Sequence, residues 1–167
     1  MSTRYKIRQK MLSIGDDFWI ENQEGKNVFK VDGKALRLRE TLIFEDMSGN
    51  KLCKIQERLL AFKDTMAIED ADGRQLAVIK KGLIAPLGDH WTVKVRNGPD
   101  LDVQGNILDH EYSIMERRKK IAEVSKKWLS LTDTYGVEID SEQNDILILA
   151  VAIAIDMMSH DEDKKRK

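Results

Sequence analysis

The chain has 167 residues, of which 28 are Lys or Arg, 29 are Asp or Glu, and 41% are hydrophobic. This length predicts one domain that buries a sizeable core, and the composition excludes a disordered chain. The formal net charge of −1 excludes a broadly basic nucleic-acid-binding protein, although it allows local basic patches.

The N-terminal segment predicts a strand and no targeting signal. Apolar and polar residues alternate from Arg4 to Arg8, as in a β-strand with one buried face. The segment does not lead into an apolar stretch, so we expect no secretory signal peptide. The single cysteine, Cys53, excludes an internal disulfide and fits a reducing compartment, and we therefore expect a cytoplasmic protein.

A repeat occupies much of the first half of the chain. Its three copies begin at Ile20, Phe44 and Ile68, at equal spacings of 24 residues. In each copy a strand ends at a glutamate, a polar turn carries a glycine four residues later, and the next strand starts at an apolar residue. These residues are Glu21, Gly25 and Val28, then Glu45, Gly49 and Leu52, then Glu69, Gly73 and Leu76. Because glycine adopts the positive φ that such turns need, the repeat predicts three consecutive β-hairpins.

Alternation continues after the repeat. Trp91–Arg96 predicts a further strand, and Tyr112–Glu116 with Ile121–Trp128 predicts a hairpin whose turn is Arg117–Lys120. In all, about twelve short strands are expected before residue 140. No low-complexity linker divides the chain, so we expect a single domain over residues 1–160.

Residues after Asp140 break the alternation and predict a helix at about residues 142–159. The segment 140–143, with its Asp, Ser, Glu and Gln, is typical of a helix N-cap. The apolar run Ile146–Ile155 is well short of the ~20 residues of a membrane-spanning helix, so no transmembrane segment is expected. The segment 161–167 is expected to be a charged tail in solvent.

The apolar helix also predicts how the strands are arranged. A helix that is apolar on every face must be buried on every face. Eight strands enclose only side chains, whereas about twelve can enclose a helix about 10 Å across. The predicted fold is therefore mainly β, a closed antiparallel barrel of about twelve strands that encloses a hydrophobic C-terminal helix.

Several segments, taken in order, resemble the LURP-one-related family, which is grouped by fold with the phospholipid scramblases and the tubby C-terminal domain. They are Tyr5–Lys10, Ile14–Ile20, Lys80–Gly82, Ile121–Trp128, Asp133–Ile139 and Ala154–Met158. The resemblance covers essentially the whole chain. It implies a tubby C-terminal-like barrel around a central hydrophobic helix, in agreement with the pattern of strands and helix.

The function that the resemblance implies concerns lipids. Tubby domains bind phosphoinositides, and scramblases are linked to calcium and lipid movement. This chain lacks the cysteine-rich palmitoylated stretch of scramblases, so we do not expect it to scramble lipids. We expect a non-catalytic binding module, peripheral at the membrane, that engages anionic lipid headgroups. The alternative is a protein-interaction or structural scaffold domain, suggested by the near-zero net charge and by Trp19 as an exposed candidate.

The candidate lipid- or anion-binding residues are cations near predicted turns. Clustered cations at a membrane surface each contribute about 1 kcal/mol. The alternative is that these residues are solvated and protect the sheet edges. The candidates are Lys80, Lys81, Arg117, Arg118, Lys119 and Lys120.

We predict no metal site, no cofactor and no catalytic residues. A calcium loop counted from Asp133 would need oxygen ligands where Tyr135 and Val137 stand, and glycine where Glu138 stands. No nucleophile elbow, zinc-protease motif or phosphate-binding loop occurs. Cys53 lies in an alternating strand, which favours packing over reactivity.

The histidines are scattered, at His90, His110 and His160. Asp109 and His110 are neighbours on a predicted strand, where they would point to opposite faces and not cooperate. Asp156 interrupts the apolar helix. If it lies inside the barrel, it is a buried carboxylate that needs a partner.

Overall fold

In the computed structural model the described residues are 2–8, 17–33, 41–57, 65–82, 84–85, 88–128 and 134–166. Within these ranges the chain forms thirteen β-strands followed by one α-helix. The strands are β1 Ser2–Arg8, β2 Phe18–Asn22, β3 Asn27–Gly33, β4 Thr41–Asp46, β5 Lys51–Glu57, β6 Thr65–Asp70, β7 Gln75–Lys80, β8 Ile84–Ala85, β9 Gly88–Val95, β10 Leu101–Asn106, β11 Glu111–Glu116, β12 Lys119–Ser125 and β13 Thr134–Asp140. The helix is α1, Asp145–Arg166.

Twelve of these strands close into one antiparallel ring. Consecutive strands pair from β1 to β7 and from β9 to β13, β7 pairs with β9, and β13 returns to β1. The closing seam is long, because β1 pairs with β13 over its whole length, from Ser2 opposite Asp140 to Arg8 opposite Thr134. The short β8 pairs only with the start of β9 and is not part of the ring. The predicted barrel of about twelve strands is confirmed.

The repeat forms three equivalent hairpins, β2–β3, β4–β5 and β6–β7. In each, the last residue of the first strand accepts two turn amides at 2.9–3.0 Å through a side-chain oxygen, and these residues are Asn22, Asp46 and Asp70. The glycines Gly25, Gly49 and Gly73 have φ of 77°, 86° and 85°. The first strand ends one residue later than predicted and the second begins one residue earlier. The three predicted hairpins are confirmed.

The two ends of the barrel carry different connections. Because neighbouring strands are antiparallel, the repeat turns, turn 96–100 and turn 117–118 all lie at one end, which we call the proximal end. α1 begins at this end, since it follows β13, whose last residue lies opposite the start of β1. Turn 107–110, between β10 and β11, lies at the opposite, distal end.

α1 runs through the barrel and is buried on all sides. Every side chain from Ile148 to Ser159 is buried, and those of Leu149–Ile155 are 0% exposed. Apolar side chains from alternate positions of the strands surround it, and the largest fully buried ones are Trp91, Tyr135 and Phe44. The prediction of an apolar helix enclosed by the barrel is confirmed.

The helix begins and ends later than the predicted range 142–159. Asn144 caps it: its side-chain oxygen accepts the amide of Leu147 at 3.2 Å and its carbonyl accepts that of Ile148 at 3.1 Å. At the other end the predicted tail 161–167 continues the helix to Arg166, because Glu, Lys and Arg are favourable helix formers and no Gly or Pro intervenes. Among the described residues, no helix is both long and apolar enough to cross a membrane.

Replacing Ala154 with Lys is expected to prevent folding. Ala154 is 0% exposed in α1, and an unpaired charge there costs several kcal/mol, comparable to the ~5–15 kcal/mol that keep an ordinary domain folded. Circular dichroism during thermal unfolding measures the effect. The control, Ala71→Lys in the exposed β6–β7 turn, should melt like the wild type. A wild-type melting temperature for A154K would mean that the helix is not in the core.

Candidate functional site

The six candidate cations fall into two separate groups. Lys80 lies opposite Thr92, Thr92 opposite Asp102, Asp102 opposite Met115, and Met115 opposite Lys120. Lys80 and Lys120 therefore share one row and one face of the sheet. Four strand spacings of about 4.8 Å separate them, or about 19 Å along the wall. An acidic residue, Asp102, stands between them, so the six cations do not form one patch.

In the first group, the two lysines have different surroundings. Lys80, the last residue of β7, is exposed. The ammonium of Lys81 lies 5.9 Å from the centroid of the Trp91 ring, within the range of a cation–π contact. Trp91 is itself buried in the core. The packing of Lys81 on this ring is a structural role that does not require a ligand.

In the second group, the turn is shorter than predicted. Only Arg117 and Arg118 form it, and Lys119 and Lys120 begin β12. Lys119 lies 3.7 Å from Asp140, and Lys120 lies 2.6 Å from Glu123. The hydrogen bond to Glu123, followed by the charge of Glu123, raises the pKa of Lys120. The predicted four-residue turn is thus wrong, because the strand pairing of β11 and β12 extends to Glu116 and Lys119.

The two arginines of the turn have an unusual backbone. Arg117 has φ 46° and Arg118 has φ 71°, the left-handed region that Asn and Gly normally occupy in a two-residue hairpin turn. For residues other than Asn and Gly, such a sparsely populated conformation costs about 1–3 kcal/mol. Both side chains are exposed, and neither has a hydrogen bond or ion pair within the described part of the chain. We call this pair the arginine turn.

The outer wall formed by β12, β13 and β1 carries a chain of charge contacts. Glu123 and Glu138 stand directly opposite each other on β12 and β13, where like charges repel. Lys120 pairs with Glu123, and Arg4 forms a hydrogen-bonded ion pair with Glu138. Each carboxylate has its own cation, so this part of the wall is close to neutral.

A groove of about 280 Å³ lies beside these charges. The guanidinium of Arg4 lies 4.8 Å from the Trp128 ring centroid, and Trp128 covers Gly136, where a Cβ would be 2.8 Å from a ring carbon. Lys6, also in the groove, forms an ion pair with Glu21. Because both cations already have carboxylate partners, the groove has no net charge with which to select an anion.

A polar cluster lies inside the barrel, formed by His110, Tyr112, Tyr135 and Asp156, each at most 5% exposed. We call it the buried cluster. His110 Nε2 is 2.7 Å from Asp156 Oδ1, and the Tyr135 hydroxyl donates to Asp156 Oδ2 at 3.3 Å. The His110 and Tyr135 rings stack with centroids 4.4 Å apart. Asp156 is therefore a buried carboxylate with two partners on the barrel wall.

The tyrosines of the buried cluster remain protonated. Burial, followed by the charge of Asp156, raises the pKa of both Tyr112 and Tyr135 well above its ordinary value. The Tyr135 hydroxyl can therefore act as a donor. The Tyr112 hydroxyl and His110 Nδ1 have no hydrogen-bond partner among the described residues. The cluster is closed to solvent and its carboxylate faces protein groups, an arrangement that binds the helix to the wall.

His110 reaches the interior because of a turn that the sequence pattern does not reveal. The sequence pattern predicts that Asp109 and His110 lie on a strand, but residues 107–110 form the distal turn. The His110 amide donates to the Ile107 carbonyl at 3.1 Å, and His110 has φ 54°. Asp109 stays outside and accepts from the Asn106 amide group at 2.6 Å. As predicted, neighbouring Asp109 and His110 do not act together. The sequence signal for this contact is the single charge of Asp156 directly after the apolar run Ile146–Ile155, because a buried carboxylate there needs a partner.

The remaining reactive groups do not form a site. Cys53 is 0% exposed, and burial raises its pKa to about 12, which confirms that it packs in the core. His90 and Asp102 form an exposed contact at 3.2 Å between neighbouring strands. The part of the chain that the structure describes contains no group of three or more His, Cys, Asp or Glu residues placed to hold a metal. Asp133, the first position of the calcium loop considered above, lies outside the described residues.

Comparisons with known proteins agree on family and fold. A family model described as LURP-one-related matches residues 3–156. Over 71 residues the chain is 32% identical to the uncharacterized protein YxjI of Bacillus subtilis (strain 168), an alignment that spans 42% of this chain and 44% of that protein. The chain thus matches less than half the length of this curated relative. An X-ray structure of an Arabidopsis thaliana protein has a TM-score of 0.65 at 16% identity, covering 93% of this chain and 89% of that chain. The two structures share a fold.

Replacing Asp156 with Leu is expected to lower the free energy of unfolding by about 3–5 kcal/mol, because His110 and Tyr135 would remain buried without their acceptor. Urea denaturation followed by circular dichroism measures it. Asp72→Leu, at an exposed turn, is the control and should stay within about 0.5 kcal/mol of the wild type. Equal losses of unfolding free energy in the two variants would show that Asp156 contributes no more to stability than an exposed turn residue.

Proposed function

The chain belongs to the LURP-one-related family, and we propose that it is a non-catalytic binding module that engages anionic lipid headgroups at a membrane surface. The proposed contact surface is the arginine turn, Arg117–Arg118, with Lys119 and Lys120 beside it. The surface lies at the proximal end of the barrel, at the tip of the β11–β12 hairpin. Lys80 and Lys81, about 19 Å away along the wall, are not part of it.

The observation that carries this proposal is the conformation of the two arginines. An Asn-Gly pair would form the same turn without strain, so the turn itself does not explain why arginine stands at φ 46° and φ 71°. Observed strain of this kind at an exposed position points to a role for the side chains. A short rigid turn holds two guanidinium groups in solvent, and guanidinium groups bind phosphate oxygens in a bidentate manner.

The two lysines next to the turn can contribute as well. Lys119 and Asp140 have side chains 67% and 43% exposed, and Lys120 and Glu123 have side chains 53% and 38% exposed. Exposed ion pairs of this kind contribute only about 0–1 kcal/mol. A phosphate-rich surface can therefore compete for these cations. Each cation near an anionic surface contributes about 1 kcal/mol, so the turn and the lysines together support peripheral, salt-dependent binding.

We propose a non-catalytic role because the reactive side chains of the interior are buried. The His110–Asp156 pair resembles an acid–base pair, but both groups are at most 5% exposed and face the core. The thiol of Cys53 is buried and protonated at neutral pH. In the described part of the chain, these groups therefore hold the helix and the core together. The proposed location is the cytoplasmic face of a membrane, where anionic lipids attract basic segments.

Replacing the arginine turn with its unstrained counterpart tests the proposal. The variant Arg117→Asn/Arg118→Gly should fold with an unchanged or higher melting temperature, because Asn and Gly suit positive φ. It should bind vesicles of phosphatidylcholine and phosphatidylserine about 30-fold more weakly, since two cations worth about 1 kcal/mol each are lost. Co-sedimentation at low and high salt measures the binding.

The matched control removes two exposed cations from the repeat hairpins, Lys26 in a turn and Lys51 at the start of β5. Lys26→Gln/Lys51→Gln changes the net charge equally and should reduce binding much less. Equal losses in the two variants would mean that net charge alone governs binding. No binding of the wild type to these vesicles at low salt would overturn the lipid function. A stoichiometric protein partner found together with that result would favour the alternative, a protein-interaction or scaffold domain.

A further inference from the structure

The helix carries two carboxylates on one face. Asp145 lies in its first turn and Asp156 eleven residues later. At 3.6 residues per turn, eleven residues complete about three turns, so the two side chains project in nearly the same direction. At about 1.5 Å per residue their Cα atoms are about 16 Å apart along the axis. One carboxylate therefore stands near the proximal end and the other deep in the barrel.

Both carboxylates accept hydrogen bonds from tyrosines of the same part of the wall. The Tyr5 hydroxyl of β1 donates to Asp145 Oδ2 at 2.5 Å, and the Tyr135 hydroxyl of β13 donates to Asp156 Oδ2 at 3.3 Å. β1 and β13 are paired neighbours at the seam of the barrel. Burial, followed by the hydrogen bond and charge of Asp145, also raises the pKa of Tyr5, so this hydroxyl remains a donor.

The helix between the two carboxylates is apolar. Burial of apolar surface is non-directional, and the ten residues from Ile146 to Ile155 are all apolar. A displacement by one turn would place each residue where its neighbour four positions away stood. Three such exchanges change the side chain little or not at all: Leu149 with Ile153, Ala150 with Ala154, and Val151 with Ile155. Two others, Ile146 with Ala150 and Ile148 with Ala152, exchange a large side chain for a small one and are opposed by packing. Apolar packing therefore discriminates between neighbouring positions at only part of the helix surface.

We propose that Asp145 and Asp156 form a two-point clamp that fixes the rotation and depth of α1 inside the barrel. Tyr5 is the wall partner of the first point, and Tyr135 and His110 are the wall partners of the second. A rotated or shifted helix would leave a buried carboxylate without donors, which is strongly unfavourable. The apolar residues supply the attraction between helix and barrel, and the two carboxylates select one arrangement.

The second point of the clamp is built from a strained residue. His110 adopts φ 54° in the distal turn, and this conformation turns its ring inward to Asp156 at 2.7 Å. A buried ion pair or hydrogen-bonded pair is often no more stabilising than apolar residues of the same volume. Its best-supported use is to specify one structure among similar ones. The combination of strain, burial and an apolar run that orients the helix only in part fits that use.

Distance measurement between two spin labels tests the clamp. The labels are placed at Ser48→Cys, in the exposed β4–β5 turn, and at Lys164→Cys, near the end of α1, with Cys53→Ala in every variant. With the clamp intact, one narrow distance distribution is expected. The unclamped variant is Asp145→Ala with His110→Gly, Tyr135→Phe and Asp156→Leu, in which Gly suits the positive φ and Leu refills volume. It should still unfold cooperatively, but with a broader or second distance, displaced by about 5.4 Å for a one-turn shift.

The matched control loosens the core without touching the clamp. Ile148→Val/Ile155→Val removes two buried methyl groups, and it should lower the melting temperature while keeping the single narrow distance. The same single distance in the unclamped variant would overturn the proposal, as would equal broadening in the control. An unclamped variant that no longer folds would also overturn it, because the groups would then be required for stability and not for orientation.

Discussion

The side chains from Leu149 to Ile155 are 0% exposed, and burying an Ile or Leu side chain stabilises the fold by about 1.5–3 kcal/mol. A helix with such side chains on every face requires an enclosing layer on every side, because any face left to water forfeits part of that free energy. A flat sheet covers one face only. A closed ring of twelve strands covers all of them, and it also removes the sheet edges through which chains aggregate. The long seam between β1 and β13 follows from this requirement, since an open seam would expose the helix.

The same enclosure determines what a polar residue of the helix can do. Asp156 cannot reach water, so its carboxylate depends on donors from the wall, and these come from elements far apart in sequence, His110 and Tyr135. Asp145 lies where the helix enters the barrel and is only partly buried, so its bond to Tyr5 competes with water. The deep pair therefore imposes the stronger geometric demand. Apolar burial provides the attraction, and directional bonds to carboxylates provide the orientation that burial lacks.

On the outside, three of the six candidate cations, Lys81, Lys119 and Lys120, have structural neighbours, as does Arg4. Lys81 lies over Trp91, Arg4 lies over Trp128 and pairs with Glu138, and Lys120 neutralises Glu123 beside Glu138. These contacts give the three side chains structural roles that require no ligand. Arg117 and Arg118 differ from them, because the described residues offer these two side chains no hydrogen bond or ion pair and the backbone beneath them is strained. Guanidinium groups that are unpaired within the described part of the chain and lie on a strained backbone therefore distinguish the arginine turn from the paired cations of the wall.

The sequence predicts best those parts of the structure whose turns have glycine at positive φ. The turns of the repeat place Gly25, Gly49 and Gly73 at positive φ, and the pattern locates those hairpins to within one residue. The turns at His110 and at Arg117–Arg118 use positive φ without glycine. At His110 the pattern predicts a strand instead of a turn, and at Arg117–Arg118 it predicts a turn that is two residues too long. The buried cluster is hidden for the same reason, since only the turn brings His110 to Asp156. An arginine or histidine held at positive φ carries a conformational cost, and this cost points to a role for the side chain that glycine could not fill. The proposed lipid-binding surface and the second point of the clamp both lie at such positions, because both use a side chain that the turn alone does not require.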